Sequence, residues 1–198
     1  MRLIYSPTSP YARKVRMVAL EKRIPLDLQS ANPMADNSTI TPLNPLGKVP
    51  TLIIDTTHQL YDSPVICAYL DDLNRTPQLI PQGDARWQVL CQEALTDGML
   101  DAALSMVTEL KRPLEEQSLS WLKHWQAAIL RSAQHVESDL NAYTGPLTLG
   151  QLALGATLGY LDFRLPQLEW RQGCTQLADW YTEFAQRPSM QDTQPPTT

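Results

Sequence analysis

The sequence predicts two domains of different class: a small mixed α/β domain built on a four-stranded sheet, then an all-α helical domain. Three observations carry this. Short apolar runs of strand length fall within the first 61 residues, and beyond the linker that follows, the apolar spacing is helical. Of 16 prolines, 10 lie in the first 81 residues, whereas all five tryptophans follow residue 86. Charge divides in the same way: residues 1–80 carry 8 Lys+Arg against 7 Asp+Glu, and residues 81–198 carry 8 against 14. At 198 residues, 43% hydrophobic and 19% charged, the chain has enough apolar mass to bury a sizeable core.

Each element has a local cause. Leu3-Ile4-Tyr5 is a short apolar strand closed by Ser6-Pro7. Ser9-Pro10 opens a helix, since Ser is a preferred N-cap and Pro suits the first helical position. Val15, Val18 and Ala19 keep helical spacing, and Pro25 ends the segment. Leu26–Gln29 reads as a second strand, and residues 30–47 as loop with one short helix near Asp36–Thr41. Thr51–Ile54 and Gln59–Tyr61 form a hairpin around Asp55-Thr56-Thr57. Ser63-Pro64 repeats the cap-plus-proline signature and opens a helix bearing Ile66, Cys67 as a buried hydrophobe, Tyr69, Leu70 and Leu73. A crossover helix makes the first two strands parallel, and the hairpin pair is antiparallel.

The linker is Asn74–Asp84. Beyond it, Leu122, Trp125, Ile129, Ala133, Val136 and Leu140 recur at steps of three and four. Thr148 suits an N-cap, with Gln151 placed to close a capping box and Leu147 and Leu152 to staple it. The helix that follows is apolar almost all round and should run through the middle of its domain. A last helix spans about Cys174–Gln186. The domains are therefore 1–76 and 84–188, and residues 189–198 are expected to be a disordered tail.

Several function classes fall away. A net charge of −5 and a pI near 5.1 argue against a nucleic-acid partner. Three scattered cysteines and three unclustered histidines give neither a disulfide framework nor a metal site. The most apolar stretch, Leu147–Leu161, is too short for a membrane span, and no signal-peptide run opens the chain. The expectation is a cytoplasmic protein. Only Gly47 precedes residue 83, so the first domain has no glycine-rich phosphate loop.

Three short motifs can carry chemistry. Ser9-Pro10-Tyr11-Ala12 has the form of a redox loop, but Ser and Ala stand where both thiols would be needed. What remains is a hydroxyl beside a helix N-terminus, either a plain cap or a group that steadies a bound thiolate. Lys48-Val49-Pro50 precedes a strand; a cis proline there exposes the Val49 backbone to pair with a peptide-like ligand. Asp62-Ser63 sets a carboxylate beside a helix start, suited to an ammonium and a carboxylate together, or else a cap with a solvated Asp. The cations Arg13, Lys14, Arg16, Lys22 and Arg23 read as a solvated face, and Trp87, Trp121, Trp125 and Tyr160 as core.

In combination and order these residues resemble the cytosolic glutathione S-transferase family of bacterial type. The resemblance rests on Ser9-Pro-Tyr-Ala-Arg, Asn44-Pro-Leu-Gly-Lys-Val-Pro50, Asp62-Ser63, and Thr148…Gln151 leading into Leu158–Arg164, and it runs to about residue 188. It implies a thioredoxin-like first domain that binds glutathione as co-substrate without a metal, a helical second domain that shapes the electrophile pocket, and a homodimer. It implies that Ser9 contacts the glutathione sulfur and that Val49, before a cis Pro50, pairs with the cysteinyl unit. By the same resemblance Ser63 holds the γ-glutamyl carboxylate, Asp62 its ammonium and Lys48 a further carboxylate, while Tyr11 lines the pocket for a small electrophile. Thr148 falls on the family's capping residue, with Gln151 where the family usually has Asp. The implied reaction is attack of the glutathione thiolate on an electrophile, a detoxifying chemistry, with a peroxidase side activity open. The alternative is a catalytically inactive regulatory or protein-interaction module on the same fold, as the stringent-starvation regulators are.

Magnitudes permit this chemistry. A free thiol with a pKa near 8.5 is only roughly 3% thiolate at pH 7. A shift of about two units needs ~2.7 kcal/mol. One hydrogen bond to an anion, at ~1.5–3 kcal/mol, plus a helix terminus at ~0.3–1 kcal/mol is enough.

Overall fold

The computed structural model describes residues 1–35 and 39–196. Its contacts separate two units, Met1–Arg86 with Pro188–Thr198, and Trp87–Arg187. In the first unit β1 (Arg2–Tyr5) lies at the centre of the sheet, and both Leu3 and Ile4 are buried. A strand covered on both faces needs a continuous apolar run rather than alternation. The Ser9 side chain caps α1 (Pro10–Glu21), which returns the chain to β2 (Asp27–Ser30), parallel to β1. β3 (Thr51–Ile53) pairs antiparallel with β1, and β4 (Gln59–Leu60) antiparallel with β3. The order is β2-β1-β3-β4, the mixed sheet that the sequence predicts. The β3–β4 turn is tied by Asp55, whose carboxylate accepts from the Thr57 and His58 amides at 2.8 and 3.0 Å. Those bonds hold its pKa well below the usual carboxylate range. α2 (Ser63–Leu73) packs on α1 and β3. Of the short helix expected near Asp36–Thr41, residues 36–38 lie outside the described residues, and 39–41 form bends and a turn, not a helix.

Two expectations for this unit are corrected. The cations of α1 are not a solvated face. Lys14 and Lys22 are 0% and 1% exposed and Arg13 is buried, leaving Arg23 exposed and Arg16 half-buried. Lys22 reaches Asp71 of α2 at 2.6 Å and also donates to the Pro77 carbonyl. Asp71 in turn accepts from the Leu79 and Ile80 amides at 2.8 and 3.0 Å. A buried ion pair is tolerated only when its remaining donors and acceptors are met in this way. The tail is not disordered from 189. Pro188–Gln191 forms the short α7, which packs on α1, and Thr193 is fully buried. The segment is polar by composition yet has dedicated partners on α1, and composition alone does not show them.

The second unit is helical. α3 (Asp84–Glu109) begins in the first unit and continues into the second, followed by α4 (Leu119–Ser138), α5 (Leu149–Arg164) and α6 (Thr175–Phe184). α5 is buried without a break from Leu149 to Leu161, as a helix apolar all round should be. Gly150 meets Gln92 so closely that a Cβ there would lie 2.2 Å from Gln92 Oε1. Glu137 of α4 caps α6, accepting from the Gln176 and Leu177 amides at 3.1 and 2.7 Å. Thr148 does sit at the N-cap of α5, but its side chain makes no capping bond, and Gln151 donates to the Pro146 carbonyl instead of closing a box. Trp87 and Trp121 are 65% and 55% exposed, not core, and Trp121 stacks on half-buried Trp125. Tyr160 is buried as expected.

Candidate functional site

The strand registers decide which motifs meet. Ile4 pairs with Thr51, and Leu52 with Leu60. With β3 antiparallel to both neighbours, the C-terminal ends of β1 and β4 and the N-terminal end of β3 lie at the same end of the sheet. α1 starts just after β1 ends, and α2 just after β4 ends. One end of the sheet therefore gathers Ser9, Tyr11, Lys48, Val49, Pro50, Asp62 and Ser63, together with the N-termini of two helices. Thr148 belongs to the other unit.

Ser9 meets the capping reading of its motif. Its Oγ accepts from the Ala12 amide at 3.2 Å, so it is a cap. A hydroxyl also carries one proton of its own. The cap uses an acceptor lone pair and leaves that proton to be donated to an anion. Ser9 is half-buried at the positive end of a twelve-residue helix. Tyr11 stands one residue beyond Pro10 and is half-buried.

The Val49–Pro50 peptide is cis. Val49 is half-buried, and its backbone N–H and C=O bond to no other described residue. The loop that presents it is held by Asn44, to which the sequence analysis assigned no separate part. Buried Asn44 donates through Nδ2 to the Lys48 carbonyl at 3.0 Å and to Thr51 Oγ1 at 3.2 Å. Its Oδ1 accepts from the Leu46 amide at 3.0 Å. Thr51 Oγ1 adds a bond to the same Lys48 carbonyl at 3.1 Å. Gly47, at φ +62°, takes the left-handed turn that a side chain would resist. The result fixes the Lys48 backbone from inside while its side chain stays exposed.

At α2 the cap assignment moves by one residue. Asp62, not Ser63, holds the N-cap position, and its carbonyl accepts the first helical bond from Ile66 at 3.1 Å. The Asp62 carboxylate makes no capping bond and is exposed, as an ammonium partner would need. Ser63 and Pro64 occupy the first helical turn. Ser63 is buried, yet its hydroxyl has no partner among the described residues and is not sealed from solvent. With the free amides of that turn it can receive a carboxylate. Two helix N-termini, an unpaired strand-edge backbone and an exposed carboxylate together suit an extended, peptide-like anion with one ammonium group.

Comparison with known proteins agrees with this arrangement. The family model for the glutathione S-transferase N-terminal domain matches residues 3–78, and that for the C-terminal domain matches residues 115–183. The uncharacterized GST-like protein YibF of Escherichia coli K12 is 32% identical over 99% of both chains. A glutathione S-transferase from Methylobacillus flagellatus, solved with GSH bound, is 38% identical, covers 98% of this chain and 99% of its own, and superposes with a TM-score of 0.93. A glutathione transferase family member from Pseudomonas fluorescens Pf-5, solved with bound glutathione, is 39% identical over 99% of each chain, with a TM-score of 0.95. With both domains matched in order and a full-length relative above 30% identity, the chain belongs to the glutathione S-transferase family.

Proposed function

We propose that this protein is a glutathione transferase that activates the thiol of glutathione at the helix-terminal end of the β1–β3–β4 sheet. The observation that supports the reading is the strand order, with β3, which Val49-Pro50 precedes, between β1, which leads into the Ser9 cap of α1, and β4, which leads into Asp62–Ser63 at the start of α2. In this reading the cysteinyl unit of glutathione pairs with Val49 as a short added strand. The γ-glutamyl carboxylate lies on Ser63 and the α2 amides, its ammonium on Asp62, and Lys48 reaches the other carboxylate. Ser9 donates its proton to the sulfur and, with the helix terminus, favours the thiolate. The thiolate attacks an electrophilic carbon, a C–S bond forms, and either a leaving group departs with the bonding pair or the adduct takes a proton from solvent. The Pseudomonas relative was also solved with bound S-(propanoic acid)-glutathione, a thioether of the kind such a step yields.

A homodimer in the cytoplasm belongs to the same reading. On α2, Val65 and Leu73 are 47% and 50% exposed, with half-buried Tyr69 between them at four-residue steps, an apolar stripe that a second copy would cover. Cys67, Cys91 and Cys174 form no disulfide, which fits a reducing compartment. Retention on immobilised glutathione followed by turnover of a generic aryl halide tests the reading. Failure to be retained overturns it. Retention without turnover of a panel of halides, epoxides and enoates favours an interaction module on the same fold; the similarity of the chain over 81 residues, at 35% identity, to the stringent starvation protein A homolog of Haemophilus ducreyi makes that outcome worth scoring.

A further inference from the structure

The C-terminal segment that closes on α1 grips the helix at chosen points. Ser189 Oγ donates to Glu21 at 2.6 Å, in the last turn of α1. Arg16 donates to the Asp192 carbonyl at 3.1 Å. Arg13, buried, donates from Nε to Thr193 Oγ1 at 3.3 Å and from a terminal nitrogen to the Met190 carbonyl at 3.1 Å. The segment thus runs antiparallel along the helix, from Glu21 at its far end to Arg13 one turn from Ser9. Thr193 holds the last position in both hydroxyl roles, accepting from Arg13 and donating to the Ser189 carbonyl at 2.7 Å. The Arg13 amide is itself the donor to the Ser9 carbonyl at 2.9 Å, and the neighbouring Ala12 amide is the donor to Ser9 Oγ.

We propose that the segment Pro188–Thr193 is a positioning strap for the thiol site, with Thr193 and Arg13 as positioning residues that fix the first turn of α1 and therefore the Ser9 hydroxyl. This rests on the functional reading above and adds to it a part of the chain that no glutathione-facing motif includes. The physical argument is that a hydrogen bond to a sulfur anion is useful only when its donor is held to a fraction of an ångström. A helix start has fewer internal bonds than the helix interior. Ser9 has its cap bond to hold it from one side; the strap holds the same turn from the other.

The test replaces Thr193 by Val, which keeps the shape and removes the acceptor for Arg13, and by Ser, which keeps the hydroxyl. Arg13→Lys probes the same contact from the helix side and stands in should Thr193→Val fold poorly. Readouts are the pH profile of kcat/KM for glutathione with an aryl halide, and amide hydrogen exchange at Ala12 and Arg13. Thr193→Val is expected to lower kcat/KM at neutral pH by about 3- to 10-fold, less than the full charge-assisted bond from the Arg13 guanidinium could carry. It is also expected to move the apparent thiol pKa upward and to speed exchange at Ala12 and Arg13 selectively, with Thr193→Ser restoring all three. A variant with a lower melting temperature but an unchanged pH profile, or with exchange raised evenly over the whole first unit, overturns the proposal and leaves the strap as mere stabilisation. A wild-type protein that neither binds nor conjugates glutathione overturns the functional reading and this inference together, and is told apart from the first outcome because the wild type itself fails.

Discussion

Ser9 caps α1 and, in the proposed function, also steadies the thiolate; substitution separates the two. Its Oγ accepts from the Ala12 amide at 3.2 Å, so Ser9→Ala removes an N-cap and should destabilise the fold by about 1 kcal/mol, whereas Ser9→Gly should cost only a few tenths. Both variants remove the hydroxyl proton. A hydrogen bond to an ionised sulfur is worth about 1.5–3 kcal/mol, and at ~1.36 kcal/mol per pKa unit its loss raises the bound thiol by about 1–2 units. From a bound thiol near pH 6.5, the thiolate fraction at pH 7 falls from about three-quarters to roughly a quarter, or to a few per cent at the larger shift. Conjugation at neutral pH should therefore drop about 3- to 25-fold in both variants alike, and the deficit should close above pH 9, where either enzyme holds thiolate. The assay is kcat/KM against pH beside denaturant unfolding. The reasoning fails if Ser9→Gly keeps the wild-type pH profile, or if the loss of rate follows the loss of stability from Gly to Ala.

Three further outcomes follow from named contacts. Asn44→Ala removes the bonds to Lys48, Leu46 and Thr51, so it should destabilise by about 1–3 kcal/mol and weaken glutathione binding more than it lowers the rate at saturation; isothermal titration and unfolding measure the two effects. Asp71→Asn strands the buried Lys22 ammonium and should lower stability by about 3–5 kcal/mol, while the double change Lys22→Met, Asp71→Leu should regain much of that loss, as denaturant curves will show. Tyr143 is pushed up to about 12 by burial, with Asp139 adding to it. Its raised folded pKa gives stability that is complete below pH 10 and is lost as pH rises from about 10 through 12, roughly 3 kcal/mol in all; Tyr143→Phe should remove that alkaline limb from a stability–pH curve.

Local chemistry made most of the fold legible. The two Ser-Pro starts, the apolar strand at Leu3–Tyr5 and the hairpin around Asp55 each depend on residues close in sequence, and strand order then follows from one crossover and one hairpin. Parallel pairing of β1 with β2 and antiparallel pairing of β3 with β4 were readable on those grounds. What escaped depends on partners far along the chain. Lys22 is buried because Asp71 meets it 49 residues away, and Arg13 because Thr193 meets it 180 residues away. A charge pattern cannot announce such partners, so a helix rich in cations reads as solvated. The shift of the α2 cap from Ser63 to Asp62 is a difference of one residue between two good cap formers, which propensity does not resolve. The unmade capping box at Thr148 has a similar origin, since Gln151 found a carbonyl nearer at hand. Asn44 could have been suspected: an Asn before Pro, close ahead of a Gly, commonly ties a turn to itself, and its burial is what turned that turn into a platform.

The first unit is drawn from two separate stretches, Met1–Arg86 and Pro188–Thr198, with Trp87–Arg187 between them. On the ribosome Arg13 emerges early, and the hydroxyl that meets it is added only after the entire helical half has been made. Domains that fold in order of synthesis usually finish the N-terminal one first. Here that order is reversed for the last contact: a truncated nascent chain can form the sheet but lacks the closing piece, so the first turn of α1 gains its bond to Thr193 only in a chain synthesised through to that residue.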